Sequence, residues 1–116
     1  MARLSIRLDL TEKDRIGPGK IALLEAIRNT GSISEGAKQI GMSYRRAWIL
    51  VDQVNGALKK PAVSAATGGK RGGGAKLTPV GEKIISIYRS IESLARQSAK
   101  DEFRAVGNLA RKRRDR

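Results

Sequence analysis

Leu4, Ile6, Leu8 and Leu10 alternate with Arg3, Ser5, Arg7 and Asp9 at the start of the chain. This period of two predicts a strand with one buried face, and "RIGPGK" breaks it. From Pro18 the period lengthens. Leu23, Leu24 and Ile27 fall on one helical face, proline suits the first turn, and Gly31 marks the end. Ser32 and Glu35 have the spacing of a capping box, in which side chains satisfy the free backbone donors of a helix start. The short helix that follows is expected to turn Ile33, Ala37 and Ile40 inward and to stop at Gly41. Ser43 caps the next helix, whose positions Ala47, Leu50, Val51, Val54 and Leu58 keep helical spacing up to the break at Pro61.

Beyond Pro61, "AVSAA" and "AKL" are short strand candidates flanking a glycine-rich stretch, which puts the glycines at a hairpin tip. Thr78 followed by Pro79 is a helix start. Val80, Ile84, Ile87, Ile91 and Leu94 then recur at alternating steps of four and three, the spacing of a coiled-coil seam. A lone domain has little use for such a seam at its end. A homodimer joined through Ile84, Ile87, Ile91 and Leu94 is therefore expected. The fold class is mainly α with a small β-sheet. A strand, three helices and a two-stranded wing occupy residues 1–78, a long dimerisation helix 79–109, and a basic, disordered tail 110–116.

Composition narrows what such a chain does. Its 116 residues hold 24 Lys and Arg against 11 Asp and Glu, a formal net charge of +13. So large an excess repels itself in a compact fold unless a polyanion gathers around it. Nucleic acid is the leading candidate, ahead of an anionic membrane surface. The chain has no Cys and no His, which excludes thiol catalysis, a zinc finger, a Ser-His-Asp triad and a disulfide scaffold. No metal or other cofactor is expected. No run approaches the roughly 18 apolar residues of a membrane span, and "MARLSIRLDL" lacks the apolar core of a signal peptide. A cytoplasmic, nucleoid-associated protein without membrane contact is expected.

Residues 32–51 carry the signature of a helix-turn-helix. Ala37 is small where two helices cross, and Gly41 supplies the turn four residues later. In that arrangement the second helix enters the major groove of double-stranded DNA by its N-terminal end, presenting Ser43, Tyr44, Arg45 and Arg46. A guanidinium donates two parallel hydrogen bonds to guanine O6 and N7, and Tyr44 suits a phosphate or a thymine methyl. Which of Arg45 and Arg46 reads a base stays open. Ser32 joins them as a candidate DNA contact, while Trp48 is expected to pack against the core or a neighbouring helix. At the wing tip, glycines bring the backbone close to a sugar-phosphate chain, Lys70 and Arg71 neutralise phosphates or enter the minor groove, and Lys76 returns toward the same strand. These contacts position the protein, and sequence choice belongs to the helix.

Two enzymatic patterns come near and fail. "GKRGGGAK" has the glycines of a phosphate loop but Ala75 and Lys76 where that motif needs Lys and then Ser or Thr. Gly17, Gly19 and Ala22 mimic a dinucleotide fingerprint, yet no second strand with an acidic residue follows. The chain is not expected to be an enzyme.

"GSISEGAKQIGMSYRRAWILVDQVN" followed by "ATGGKRGGGAKLTPVGEKIISIYRSIE" resembles the N-terminal DNA-binding domain of the ModE family, the molybdate-responsive transcription regulators, itself a relative of the LysR-type winged helix-turn-helix. The resemblance covers about residues 17 to 95. It implies a homodimeric, sequence-specific transcription regulator, each recognition helix entering one half of an inverted-repeat operator. The family also carries molybdate-binding domains after this region, and no segment for them is found within the 116 residues. DNA binding is expected to carry over and molybdate sensing is not. The effector is lost, supplied by a separate protein, or replaced by control through abundance. The alternative reading is a nonspecific nucleoid-associated or chromosome-packaging protein, which shares the charge but discriminates weakly between sequences.

Overall fold

The computed structural model describes residues 3–66 and 74–111. In chain order they form β1 (Leu8–Asp9), β2 (Arg15–Ile16), α1 (Pro18–Thr30), α2 (Ile33–Gln39), α3 (Tyr44–Ala57), β3 (Val63–Ala66), β4 (Gly74–Leu77), α4 (Pro79–Ser98) and α5 (Lys100–Leu109). Helices α1 to α3 and the antiparallel pair β3–β4 make a winged helix-turn-helix, with α4 packed on α1 and on the base of the wing. The core between them is aliphatic apart from one tyrosine. Ile16, Ile21, Leu23, Leu24, Ile27, Val54 and Tyr88 are its largest fully buried members.

The helix starts form as their side chains dictate. Ser32 Oγ accepts from the Glu35 N–H at 3.1 Å, Ser43 Oγ from Arg46 at 3.1 Å, and Thr78 Oγ1 from Gly81 at 3.1 Å. Each bond satisfies one of the donors a helix start leaves free. The Glu35 carboxylate lies 3.7 Å from Lys38 Nζ, three residues further along α2. Between α2 and α3 the chain turns at Gly41, φ 69°, and the Met42 N–H reaches back to the Ala37 carbonyl at 2.8 Å. A left-handed residue in this turn is most accessible to glycine. The closest approach of α1 and α2 falls at Gly36. A Cβ there would meet the backbone of Ala26 and Ile27 at 3.1 Å, so the buried neighbour Ala37 is the second small residue of the crossing rather than its centre.

Three expectations are corrected. The strand expected from Leu4 to Leu10 is extended but pairs only at Leu8 and Asp9, with Ile16 and Arg15. Its partner is short because Gly17 and Pro18 begin α1, and Leu10 is left 43% exposed. The segment before β1 is pinned instead by the Tyr88 hydroxyl, which donates to the Ile6 carbonyl at 2.6 Å. Ile40 does not turn inward. Helix α2 ends at Gln39, which swings Ile40 out of register, and Met42 packs against the core. The single helix expected over 79–109 is divided at Ala99 (φ −105°, ψ 24°) into α4 and α5. Beyond the division Phe103 is half-buried and lines a cleft with Leu4 and Ala22. The wing tip, with Lys70 and Arg71, and the tail beyond Arg111 lie outside the described residues. Among the described residues no helix is long and apolar enough to cross a membrane.

Helix α4 carries two adjacent stripes. Gly81, Ile85, Tyr88 and Glu92 are buried against the domain, while Ile84 and Ile91 are half-buried and Ile87 and Leu94 exposed. Arg89 ties α4 to α1 through a two-pronged pair with Glu25 (2.6 and 3.0 Å) and to Glu92 at 2.7 Å. This guanidinium holds the Glu25 carboxyl below its ordinary range, chiefly by hydrogen bonding, and burial raises the Tyr88 phenol.

The wing is fixed to the helices by polar contacts with no local sequence signal. Asn55, in the last turn of α3, accepts from the N–H groups of Ala62 (2.8 Å) and Val63 (3.1 Å) and donates to the Val63 carbonyl at 3.2 Å. The Ala75 N–H of β4 donates to the Gly31 carbonyl at 2.9 Å. Asn55→Ala strands two part-buried amides and a carbonyl, and is expected to cost about 2 kcal/mol. Such a loss lowers the melting temperature by about 10 °C in a domain of this size. A thermal melt within about 2 °C of the unmodified chain would contradict this anchoring role.

Candidate nucleic-acid interface

Ala47, Leu50, Val51 and Val54 bury one side of α3. At 100° per residue their mean direction lies nearly opposite Arg45. Arg45 therefore stands at the middle of the exposed face, close to the free N-terminal end. Tyr44 and Trp48 lie to one side of it and Arg46 to the other. The exposed face is neither uniformly polar nor covered. Tyr44 is 56% exposed, Trp48 43% and Ile49 42%, and the two aromatic rings meet edge to face with centroids 6.2 Å apart. Of the two places expected for Trp48, the core and a neighbouring helix, the core is ruled out by its 43% exposure. Its ring belongs to a surface ledge with Tyr44, since the inward positions of α3 are already filled by smaller side chains.

Each flank of α3 faces another element. On the aromatic side, Tyr44, Trp48 and Asp52 look across an open cleft of about 360 Å³ to Ser64 and Ala66 of the wing. On the other side, Arg46, Leu50 and Gln53 face the N-terminal hairpin and the start of α1. The wing strand β4 alternates, with Ala75 buried and Lys76 exposed opposite Ser64.

The sequence-predicted residues fall into three groups. Ser43, Tyr44, Arg45 and Arg46 come together at the exposed start of α3, the first as cap and the rest with side chains exposed. Lys76 sits on the outer side of the wing, while Ser32 is half-buried at the start of α2, its oxygen engaged as the cap. Lys70 and Arg71 lie outside the described residues. Sequence reasoning missed Lys13, Arg15 and Lys20, which the hairpin and α1 bring opposite Arg46. The signal was present as three cations within eight residues, but that stretch reads by local rules as a break between strand and helix.

No family model matches the chain. Among curated proteins, MopB of Rhodobacter capsulatus, a molybdenum-pterin-binding protein, is 53% identical over 79 residues, 68% of this chain and 29% of its own length. The transcriptional regulator ModE of Yersinia pestis is 41% identical over 111 residues, 93% of this chain and 42% of its own. ModE of Escherichia coli K12, a DNA-binding transcriptional dual regulator, is 42% identical over 87 residues, 75% and 33% of the two chains. The chain thus spans between a quarter and a half of the length of the relatives it matches. With most of its length aligned and a winged helix-turn-helix in place, the chain is a homologue of the ModE transcriptional regulators, corresponding to a part of their length.

Proposed function

We propose that this chain is a sequence-specific DNA-binding module of a transcription regulator, acting on double-stranded DNA as a homodimer. The observation that carries the reading is the exposed start of α3, capped by Ser43, with Arg45 opposite the buried face and an element on either flank. A helix with its side chains is about 10–12 Å across, close to the roughly 12 Å width of the major groove. Inserted there, Arg45 reaches base edges and donates a forked pair of hydrogen bonds to guanine. Ile49, Trp48 and Tyr44 offer the apolar surface that suits thymine methyl groups. Arg46, turned toward the N-terminal hairpin, meets the rim of the groove. The wing, with Lys76 on β4, holds the backbone on the aromatic side, and the Lys70 and Arg71 expected to join it lie outside the described residues. The names of the relatives support regulation of transcription and lend no support to sequence-indifferent packaging.

The dimer follows from α4. In its second stripe, Ile84, Ile87, Ile91 and Leu94, Ile84 still packs against the domain's core, while Ile87 and Leu94 are 44% and 66% exposed. Val106 and Leu109 of α5 are exposed as well. Two copies joined there would present two α3 helices to one duplex, and a two-fold protein reads an inverted repeat.

Two outcomes test the reading. Arg45→Ala is expected to lower the ratio of affinities for a selected genomic fragment and random DNA by about 10-fold or more, against a smaller, sequence-independent loss for Arg46→Ala; a ratio unmoved by Arg45→Ala would refute base reading by this residue. Ile87→Asp with Leu94→Asp, both at exposed positions that spare the core, is expected to halve the mass measured by light scattering. A persisting dimer would remove α4 as the interface.

A further inference from the structure

On the flank away from the wing, Arg46, Leu50 and Gln53 of α3 form one wall of a concave cleft of about 610 Å³. The facing wall carries Lys13 and Arg15 from the N-terminal hairpin and Lys20 from the first turn of α1. Among the described residues, none of Lys13, Arg15, Lys20 and Arg46 has a carboxylate within salt-bridge distance. The nearby acids also have partners on the hairpin itself. Asp9 pairs with Arg7 at 2.9 Å, and Asp14 accepts from the Thr11 hydroxyl at 3.0 Å. Arg7 and Asp14 line the hollow as well, so it holds five cations, four of them without an ion pair among the described residues, and the one carboxylate of Asp14. The crowding registers on Lys20, whose ammonium is held below its ordinary pKa by burial first and then by Arg15, with Asp14 opposing and Arg46 adding.

The place of the cleft decides which anion it suits. A helix that fills the major groove has its two flanks against the two sugar-phosphate strands. The wing stands at one flank of α3, and the hairpin stands at the other. We propose that Lys13, Arg15, Lys20 and Arg46 form a second backbone clamp, which binds phosphodiester oxygens of duplex DNA on the side of α3 opposite the wing. The clamp rests on the assignment of α3 as the DNA-reading helix. One of its cations is held in place before DNA arrives: Lys20 Nζ donates to the Arg15 carbonyl at 2.7 Å and ties the hairpin to α1. Such preorganisation lowers the ordering cost of binding. Contacts to phosphate position the helix without choosing sequence. With a clamp at each side, α3 is gripped symmetrically about the groove rather than from the wing alone.

Lys13→Ala with Arg15→Ala tests the clamp, since both side chains are exposed and the Arg15 carbonyl bond to Lys20 is kept. Binding to a selected genomic duplex and to a random duplex of equal length is measured by fluorescence anisotropy across a salt series. Circular dichroism confirms the fold. Both affinities are expected to fall about equally, on the order of tenfold at about 0.15 M salt, and the slope of log K against log salt by roughly 1.8, about 0.9 for each lost phosphate contact. Lys13→Gln alone, at the hairpin turn, is expected to give about half that change in slope. Unchanged affinity and slope, with the unmodified chain still binding DNA, overturn the clamp and leave the α3 reading standing. A loss confined to the selected duplex also overturns it, because a backbone clamp is indifferent to sequence. Failure of the unmodified chain to bind either duplex overturns both readings together.

Discussion

The direction of one helix governs everything this surface offers. Ala47, Leu50, Val51 and Val54 are small or branched aliphatics that seat α3 on α1 and α2, and once they are buried every other side chain of the helix has its place. Arg45 is carried to the outer face, the aromatic pair to the wing side and Arg46 to the hairpin side. The close crossing at Gly36 sets how near α2 approaches α1, and hence where the turn at Gly41 delivers the start of α3. A core of this kind, tightly packed and nearly free of aromatics, transmits a change of one methylene as a shift of the helices. The precision of the outward face thus depends on the inward one.

Electrostatics explains why the surface needs an outside partner. Several acids are spent in holding the domain together: Glu25 and Glu92 on Arg89, Glu82 on Arg28, Asp9 on Arg7. The cations around α3 have no such partners among the described residues. Lys13, Arg15, Lys20, Arg45 and Arg46 thus add positive charge without an ion pair beside α3, and a field of that sign draws a polyanion toward this helix. The docking of α4 follows a different logic. Tyr88 and Ile85 anchor it by burial, Arg89 by a forked ion pair, and these contacts leave the neighbouring apolar stripe turned outward.

Features whose cause lies within a few residues were legible in the sequence. The caps Ser32, Ser43 and Thr78, the turn at Gly41 and the inward face of α3 follow from local donors, local backbone freedom and a short period, and they appear where expected. Features settled by partners distant in sequence were not. Nothing near Asn55 announces that it will bond Ala62 and Val63, and nothing near Ile6 that Tyr88 will take its carbonyl. The apolar rhythm of α4 suggested one seam because the stripe buried against the domain has, beside Ile85, only Gly81, Tyr88 and Glu92, which do not read as an aliphatic seam. The hairpin cations were overlooked for a related reason. Their significance lies in facing Arg46 across a cleft, a relation that only the packing of β2 and α1 beside α3 creates.

The central claim is that α3 chooses sequence and that two copies act on one duplex. Selection of fragments bound by the chain from genomic DNA, followed by sequencing, tests both parts at once. The account predicts fragments sharing an inverted repeat, with half-sites about one helical turn or a small multiple of it apart. Recovery of fragments without a common sequence would contradict it.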